Sequence, residues 1–486
     1  MPNVPVPRLA VVGHPNKGKS SLVATLAQDD SVAIGPHPGT TLVAREYPLR
    51  VDGVHLYSLI DTPGFQRARQ VLAWLEARAR ETKASAADRP RLVAEFVGTP
   101  GQRERFPDEC ELLAPIVAGA GILYVVDGGV AYGPEYEAEM EVLRWTGRPS
   151  LAVINPISGR EHVREWEAAL GQFFRIVRVV DAVRADPPTQ RQLLQAFGEL
   201  DADWREPIER AIASLDHVRE VRRERAAREI AQLVADALDF LVERRIGPEE
   251  RAESHRAALA AEYQTALARC ERECRGRVQA IYGHRHTPEA PETLDALEAR
   301  SEELALLEAN LFSEGAWLVF GLTRRDLVAA GAAGGAATGG VLDLALGGAS
   351  LLLGLATGAA LGGVLGYLGA ERLPELKLID RPLGGRRVRY GPSRSLNFPF
   401  VLFGRARYHW RLLSRRTHAL RDAVRLESAL AAALALTPTA RHQLERDFAQ
   451  LRRGLGVLAR AEAVEALAGT AGAIFEEDDS QSGEIR

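Results

Sequence analysis

The chain has 486 residues, 46% of them hydrophobic and 26% charged, with a formal net charge of −4; that length exceeds one ordinary core, so two or three folded domains are expected and a disordered chain is excluded. A pI near 6.3 argues against non-specific nucleic-acid binding as the main activity. Three cysteines, Cys110, Cys270 and Cys274, are too few for a disulfide framework and suit a reducing cytosol.

The opening residues MPNVPVPRLAVVG lack a basic region followed by an apolar core, so cytoplasmic synthesis is expected. Apolar runs then alternate with helical patterns. Strands are expected at 8–12, 42–51, 56–60, 122–127, 151–155 and 176–180, and helices at 19–27, 70–81, 134–144, 160–173 and 189–200. Alternation of this kind predicts an α/β domain over residues 1–202, with a mainly parallel sheet covered by helices on both faces. Residues 82–119, which include ADRPR and GTPGQRERF, read as an insertion between the second helix and the fourth strand. After that the strand signals stop. Segments 203–243, 248–281 and 291–311 are rich in Ala, Leu, Glu and Arg at helical spacing, which predicts an all-α domain over 203–474. Within it, 372–407 reads as a loop, and further helices are expected near 415–435 and 439–467. The end, FEEDDSQSGEIR (475–486), is acidic and expected to be a disordered tail.

The chemistry concentrates near the start. Gly13-His14-Pro15-Asn16-Lys17-Gly18-Lys19-Ser20, followed by Ser21, fits G-x-x-x-x-G-K-[ST] between a strand and a helix. The glycines let backbone N–H groups turn onto phosphate oxygens, and the helix points its positive end at them. Only four lysines occur in the chain, at 17, 19, 83 and 377. Lys19 stands where a slim ammonium must reach the β- and γ-phosphates, a path closed to the wide guanidinium fork of arginine. Lys17 reads as a solvated neighbour. Ser20 offers its hydroxyl to Mg²⁺. Downstream, Leu59-Ile60-Asp61-Thr62-Pro63-Gly64 ends a strand on an aspartate that can hold Mg²⁺ through water, with the Gly64 N–H available to the γ-phosphate. Between them, Pro38-Gly39-Thr40-Thr41 supplies a loop threonine, Thr41, to complete the magnesium shell while the γ-phosphate is present. The expected metal ligands are thus Ser20, Thr41 and Asp61.

These motifs, GxPNxGKS, PGTT and DTPG in this order, resemble the Era/TrmE-like branch of bacterial GTPases. The resemblance implies GTP and GDP as ligands, with Mg²⁺ required. It implies K⁺ bound at Asn16 in place of an arginine finger, with Lys19, Thr41, Gly64 and Asn16 serving hydrolysis. An apolar residue after the DxxG glycine, here Phe65, stands where Ras-like proteins carry a water-orienting glutamine. Phe65 cannot hydrogen-bond to water, so stabilisation of phosphate charge must come from elsewhere, and slow intrinsic turnover is implied. The base-reading NKxD is altered to Asn155-Pro156-Ile157-Ser158. Asn155 matches, but serine replaces the aspartate that accepts two bonds from guanine, a loss on the order of 2–4 kcal/mol. Guanine selectivity therefore follows from the resemblance alone; Asp181 is a candidate to compensate. The stretches ILYVVD, YGPEYEAEMEVLRWTGRP and the Gly-rich segment described next are also similar to bacterial GTPases whose C-terminal region is a domain of unknown function.

Residues 327–370 contain one charged residue, Asp343, and glycines at 331, 335 and 339, then at 354, 358, 362 and 366. A four-residue repeat lines one helix face and lets backbones approach closely. Gly347-Gly348 divides the run into a hairpin of two helices of about 20 residues each, enough for a bilayer core. Arginines at both ends place both flanks in the cytoplasm, at the inner face of the membrane. A soluble hairpin packed against neighbouring helices is the alternative, since Gly and Ala dominate and Asp343 needs water or a partner. Cys270, Cys274, His284 and His286 form C-x3-C-x9-H-x-H, but thiols at i and i+4 on a charged helix read as packed or solvated side chains. Two further expectations stand beside the GTPase switch: a degenerate nucleotide-binding scaffold at the membrane, and an RNA- or ribosome-associated GTPase. A homodimer is also carried as an expectation.

Overall fold

Leu9, Ala10, Val11 and Val12 are wholly buried, and a strand buried on both faces belongs at the centre of a parallel sheet. The computed structural model describes residues 6–28, 31–32, 41–247, 250–282, 377–378, 381–382, 386–414, 436–453 and 456–481. The chain divides into two compact units, the first ending at Arg219 and the second beginning at Glu220.

In the first unit, β1 (Arg8–Val12), α1 (Lys19–Ala27), β2 (Arg45–Val51), β3 (Val54–Asp61) and α2 (Ala68–Thr82) come first. The expected insertion is three helices: α3 (Arg89–Gly98), α4 (Pro100–Arg105) and α5 (Pro107–Val117). Each carries a proline in its first turn, where the missing N–H costs nothing. Then follow β4 (Gly121–Asp127), α6 (Pro134–Trp145), β5 (Ser150–Asn155), α7 (Val163–Leu170), β6 (Val177–Val179) and α8 (Pro187–Gly198). The strand order is β2-β3-β1-β4-β5-β6. β2 is an antiparallel edge on β3, and the other pairs are parallel. Alternate residues of β1 feed opposite cores: Leu9 and Val11 pack with α1 and α8, whereas Ala10 and Val12 pack with α2, α3, α5 and α6. The register sets the functional edge. Val11 lies opposite Asp61, and Asp127 opposite Asn155, so these residues share the carboxyl edge of the sheet, where ligands of such folds bind.

The expected boundary at residue 202 falls short. Helix α9 (Arg205–Asp239) begins three residues later, and its Ile208, Ala211, Ile212 and Leu215 are buried in the first unit's core. Their three- and four-residue spacing supplies an apolar face that the α/β layer covers.

The second unit contains the remainder of α9, β7 (Val242–Ile246), α10 (Arg256–Tyr282), β8 (Lys377–Leu378), β9 (Arg381–Pro382), β10 (Arg386–Tyr390), α11 (Phe398–Ser414), α12 (Pro438–Leu451) and α13 (Val457–Gln481). Three expectations are corrected here. The region is not purely helical, because β7 and β10 pair antiparallel, with Val242 opposite Tyr390. The loop expected over 372–407 therefore holds three strands, β8, β9 and β10, and the start of α11, and Phe398, Val401 and Trp410 of that helix are buried. The helix expected over 439–467 is two helices, one ending at Leu451 and the next beginning at Val457.

The acidic tail is corrected as well. Residues 475–481 complete α13, with Phe475 stacked on Trp410 at 4.0 Å. Asp478 is buried and accepts from Arg407 at 2.6 and 2.7 Å. Asp478 is thus an internal ion-pair partner, whereas Glu476 and Glu477 are exposed, and residues 482–486 lie outside the described residues. The Gly-rich hairpin 327–370, the helices expected at 291–311 and 415–435, His284 and His286 lie outside the described residues. Cys274 is buried, its thiol pushed up to about 12 by burial, and donates to the Glu229 carbonyl; among the described residues no three His, Cys, Asp or Glu side chains group as metal ligands. No helix among the described residues is long and apolar enough to cross a membrane.

Candidate functional site

The loop joining β1 to α1 needs two backbone conformations that side chains oppose. Gly13 has φ of +140°, and a Cβ there would lie 2.3 Å from the Val125 carbonyl oxygen; Gly18 has φ of +79°, and its Cβ would lie 2.2 Å from Asn155 Nδ2. Gly18 caps α1 without a side chain, which leaves the first-turn N–H groups directed out of the helix for an anion. Lys19, 7% exposed, folds back so that Nζ donates to the His14 carbonyl at 3.0 Å. Burial pulls its pKa down to about 8, against the opposing pull of Asp61 and Glu139. Around it opens a cleft of about 150 Å³, lined by Pro15, Asn16, Gly18, Lys19, Ser20, Ser21, Thr41, Leu42, Thr62, Pro63, Gly64, Gln66 and Asp108. Asn16 takes a left-handed conformation at its rim, φ 59°.

Beside the lysine, three oxygen-bearing side chains converge from separate segments. Ser20 Oγ donates to Asp61 Oδ2 at 2.8 Å, Thr41 Oγ1 donates to the same oxygen at 2.9 Å, and the two hydroxyls are 3.4 Å apart. Asp61 is 3% exposed, and burial raises its pKa against the hydrogen bonds from Ser20 and Thr41 and the charge of Lys19. Its other oxygen, Oδ1, is buried without a hydrogen-bond partner among the described residues. A buried carboxylate oxygen without a partner is costly in a protein interior. A hard divalent cation ligated by hydroxyl and carboxylate oxygens removes that cost, so the donor set fits Mg²⁺.

Asn155 is 1% exposed and ties the phosphate loop to the loop after β6: Nδ2 donates to the Lys17 carbonyl at 3.2 Å, and Oδ1 accepts from Ala182 N at 3.1 Å. Ser158 does not face an open base site with a free hydroxyl, because Oγ donates to Asp127 Oδ2 at 2.8 Å. Asp181 Oδ1 accepts from the backbone of Val183 and Arg184, so that oxygen caps its own turn. Lys17 is not merely solvated; its side chain is 11% exposed, with Nζ 3.8 Å from Asp127 Oδ2.

Tyr124, Glu139 and Glu109 support the site from outside the phosphate-loop, PGTT and DTPG motifs. His14 Nδ1 pairs with Glu139 Oε1 at 2.9 Å, and Glu139 Oε2 accepts from the Tyr124 hydroxyl at 2.9 Å. Burial raises the pKa of Glu139, and its two bonds tie the phosphate loop, through His14, to β4 and α6. Phe65 is 1% exposed and packed in the core, while its N–H donates to the Gly13 carbonyl. Glu109, also 1% exposed, accepts from the backbone N–H groups of Gln66 at 2.9 Å and Arg67 at 2.5 Å. Glu109 follows Pro107 in the first turn of α5, and a first-turn acid after proline is the one signal that could have marked it.

A six-stranded, mainly parallel sheet, a glycine loop feeding a buried lysine into a helix N-terminus, and a converging Ser, Thr and Asp at the strand ends define a P-loop GTPase domain. Residues 8–155 match the family described as 50S ribosome-binding GTPase. Residues 167–469, more than half of the chain, match the family described as Domain of unknown function (DUF3482), and the chain belongs to that family. Among curated proteins it is similar to GTPase Der of Mycoplasma pneumoniae, 38% identical over 89 residues, 18% of this chain and 20% of that protein. GTPase Der of Herminiimonas arsenicoxydans is 46% identical over 69 residues, 14% of this chain and 15% of that protein. GTPase Der of Desulforudis audaxviator is 29% identical over 206 residues, 38% and 46% of the two chains. The chain thus spans less than half the length of each of these relatives.

Proposed function

We propose that this chain is a GTP-binding switch of the Era/TrmE-like kind, which hydrolyses GTP slowly to GDP and phosphate with Mg²⁺ present. The convergence of Ser20, Thr41 and Asp61 beside Lys19, with Asp61 Oδ1 left without a partner, carries this reading. Lys19 and the backbone N–H groups of residues 13–21 other than Pro15 receive the β- and γ-phosphates, and the Gly64 N–H is available to the γ-phosphate. Ser20, Thr41 and Asp61 would hold Mg²⁺, which would supply neutralisation of the charge developing on the phosphates. Because Thr41 belongs to a separate loop, its bond to Asp61 ties that loop to the nucleotide state. The intact lysine and metal set oppose the reading of a degenerate scaffold.

Asn16 supports the addition of K⁺ through its match to the family's asparagine and its left-handed backbone at the cleft rim. Base selectivity departs from the family. With Ser158 bound to Asp127, a guanine edge loses the paired acceptor, so the preference for GTP over ATP and XTP narrows. The matching family's description, 50S ribosome-binding, supports a ribosome or RNA partner as the second reading. The glycine spacing of 327–370 supports a membrane contact on the inner face, with the unit that ends at Arg219 as the nucleotide-binding part, and a homodimer is carried with it.

The test is Mg²⁺-dependent binding and turnover of GTP, ATP and XTP by the full chain, in KCl and in NaCl. Lys19→Ala is expected to lower GTP affinity and turnover at least a hundredfold. Equal turnover by wild type and variant sinks the site assignment, and equal rates in the two salts remove the potassium.

A further inference from the structure

The reading of GTP hydrolysis leaves a gap that the insertion fills. The residue after Gly64 is buried Phe65, whose side chain has neither a donor nor an acceptor for the attacking water. Among the described residues that line the cleft, Asp108 is the acidic one, together with Lys19, Thr41, Gly64 and Gln66. It comes from the first turn of α5, about 45 residues along the chain from Gly64 and outside every motif of the phosphate site.

Helix α5 is held firmly at this place. Cys110, Leu112, Leu113 and Ile116 are each 1% exposed or less. From the same end, Glu109 accepts the backbone N–H groups of Gln66 and Arg67, and Arg67 Nη1 donates back to the Arg105 carbonyl at 2.7 Å. One turn on, Glu111 Oε2 accepts from Ala44 N at 3.4 Å. Three acids of one helix therefore touch the cleft, the segment after DTPG and the segment after Thr41.

We propose that α5 acts in cis as the catalytic element of this domain, with Asp108 orienting the attacking water and Glu109 as a positioning residue that holds residues 66–67. This rests on the hydrolytic reading above. The water oxygen bonds to the γ-phosphorus while the bond from that phosphorus to the β,γ-bridging oxygen breaks. The bridging oxygen keeps the electron pair and leaves on GDP. Asp108 accepts a hydrogen bond from the water in the transition state, and the water's proton ends on the inorganic phosphate or in solvent. A carboxylate accepts strongly and directionally, which is what a water beside a buried phenyl ring lacks.

The full chain as wild type, Asp108→Asn, Asp108→Glu, Glu109→Gln and Gln66→Ala is to be compared in three measurements. These are single-turnover GTP hydrolysis, affinity for a fluorescent GTP analogue with Mg²⁺, and binding of aluminium fluoride to the GDP complex. Asp108→Asn is expected to slow hydrolysis roughly a hundredfold and lose aluminium fluoride binding, with analogue affinity within threefold of wild type. Asp108→Glu is expected to recover part of the rate. Glu109→Gln is expected to slow hydrolysis less and to speed amide hydrogen exchange at residues 64–67. Hydrolysis by Asp108→Asn within twofold of wild type, loss of affinity in step with rate, or transfer of the whole effect to Gln66→Ala overturns the proposal. Failure of wild type to bind the GTP analogue overturns instead the functional reading beneath it.

Discussion

The two glycines of the phosphate loop show how little freedom single positions have. At Gly18 an added methyl meets the Asn155 amide and the backbone stays at φ +79°, a conformation that costs an L residue about 1–3 kcal/mol. Gly18→Ala is expected to lower the stability of the protein by about that amount and to weaken Mg²⁺-GTP binding roughly tenfold, read by denaturant unfolding and by titration of a fluorescent nucleotide. Unchanged affinity would mean that the loop reshapes freely, contrary to its contacts with Asn155 and Val125. Such residues were legible in advance because their constraint is local: a positive φ demands glycine, and a buried phosphate site selects an ammonium over a guanidinium. Glu139 and Glu109 were not, because their roles depend on partners 125 and 42–43 positions away, and an isolated glutamate in a helix carries no sign of its partner.

Elements were legible where period and length agreed. β1 and α1 coincide with their expected ranges, and the central strands differ by a residue or two, because runs such as ILYVVD are buried on both faces. The ribbon of β7 and β10 escaped because each strand is short and rich in arginine and its partner lies about 140 residues away. The end of α13 escaped for a different reason: a run of acids reads as solvated charge, whereas Arg407 and Asp478 are 6% and 5% exposed at their side chains. Removing one partner of a buried pair leaves the other uncompensated, at a cost of about 3–5 kcal/mol. Asp478→Ala is therefore expected to destabilise the second unit by that amount, with a smaller effect for Glu477→Ala, which is exposed. Chemical denaturation followed by Trp fluorescence checks it, and equal, small effects at 477 and 478 would return the segment to the status of a tail.

Each of the two units has its own buried core, so the whole chain is expected to unfold calorimetrically in two transitions. A ligand that binds one folded unit raises that unit's stability by about 2.7 kcal/mol at a hundredfold excess over Kd, or roughly 5–10 °C for a unit of this size. Mg²⁺-GTP is expected to move one transition upward by that amount, and a scan in which neither moves is incompatible with a nucleotide site in the first unit. The fold class of that unit was readable from the alternation of strands and helices; the end of the unit was not, because α9 presents its apolar face on both sides of residue 219 without a break in helical pattern.

The scarcity of lysine gives the whole molecule an experimental handle. A lysine-specific protease finds four peptide bonds to cut, after residues 17, 19, 83 and 377, and two of them lie inside the phosphate loop. Loading with a triphosphate should spare that pair while leaving the bond after Lys83 open to attack, since Lys83 is exposed. Occupancy of the loop could then be followed by counting fragments in a crude lysate.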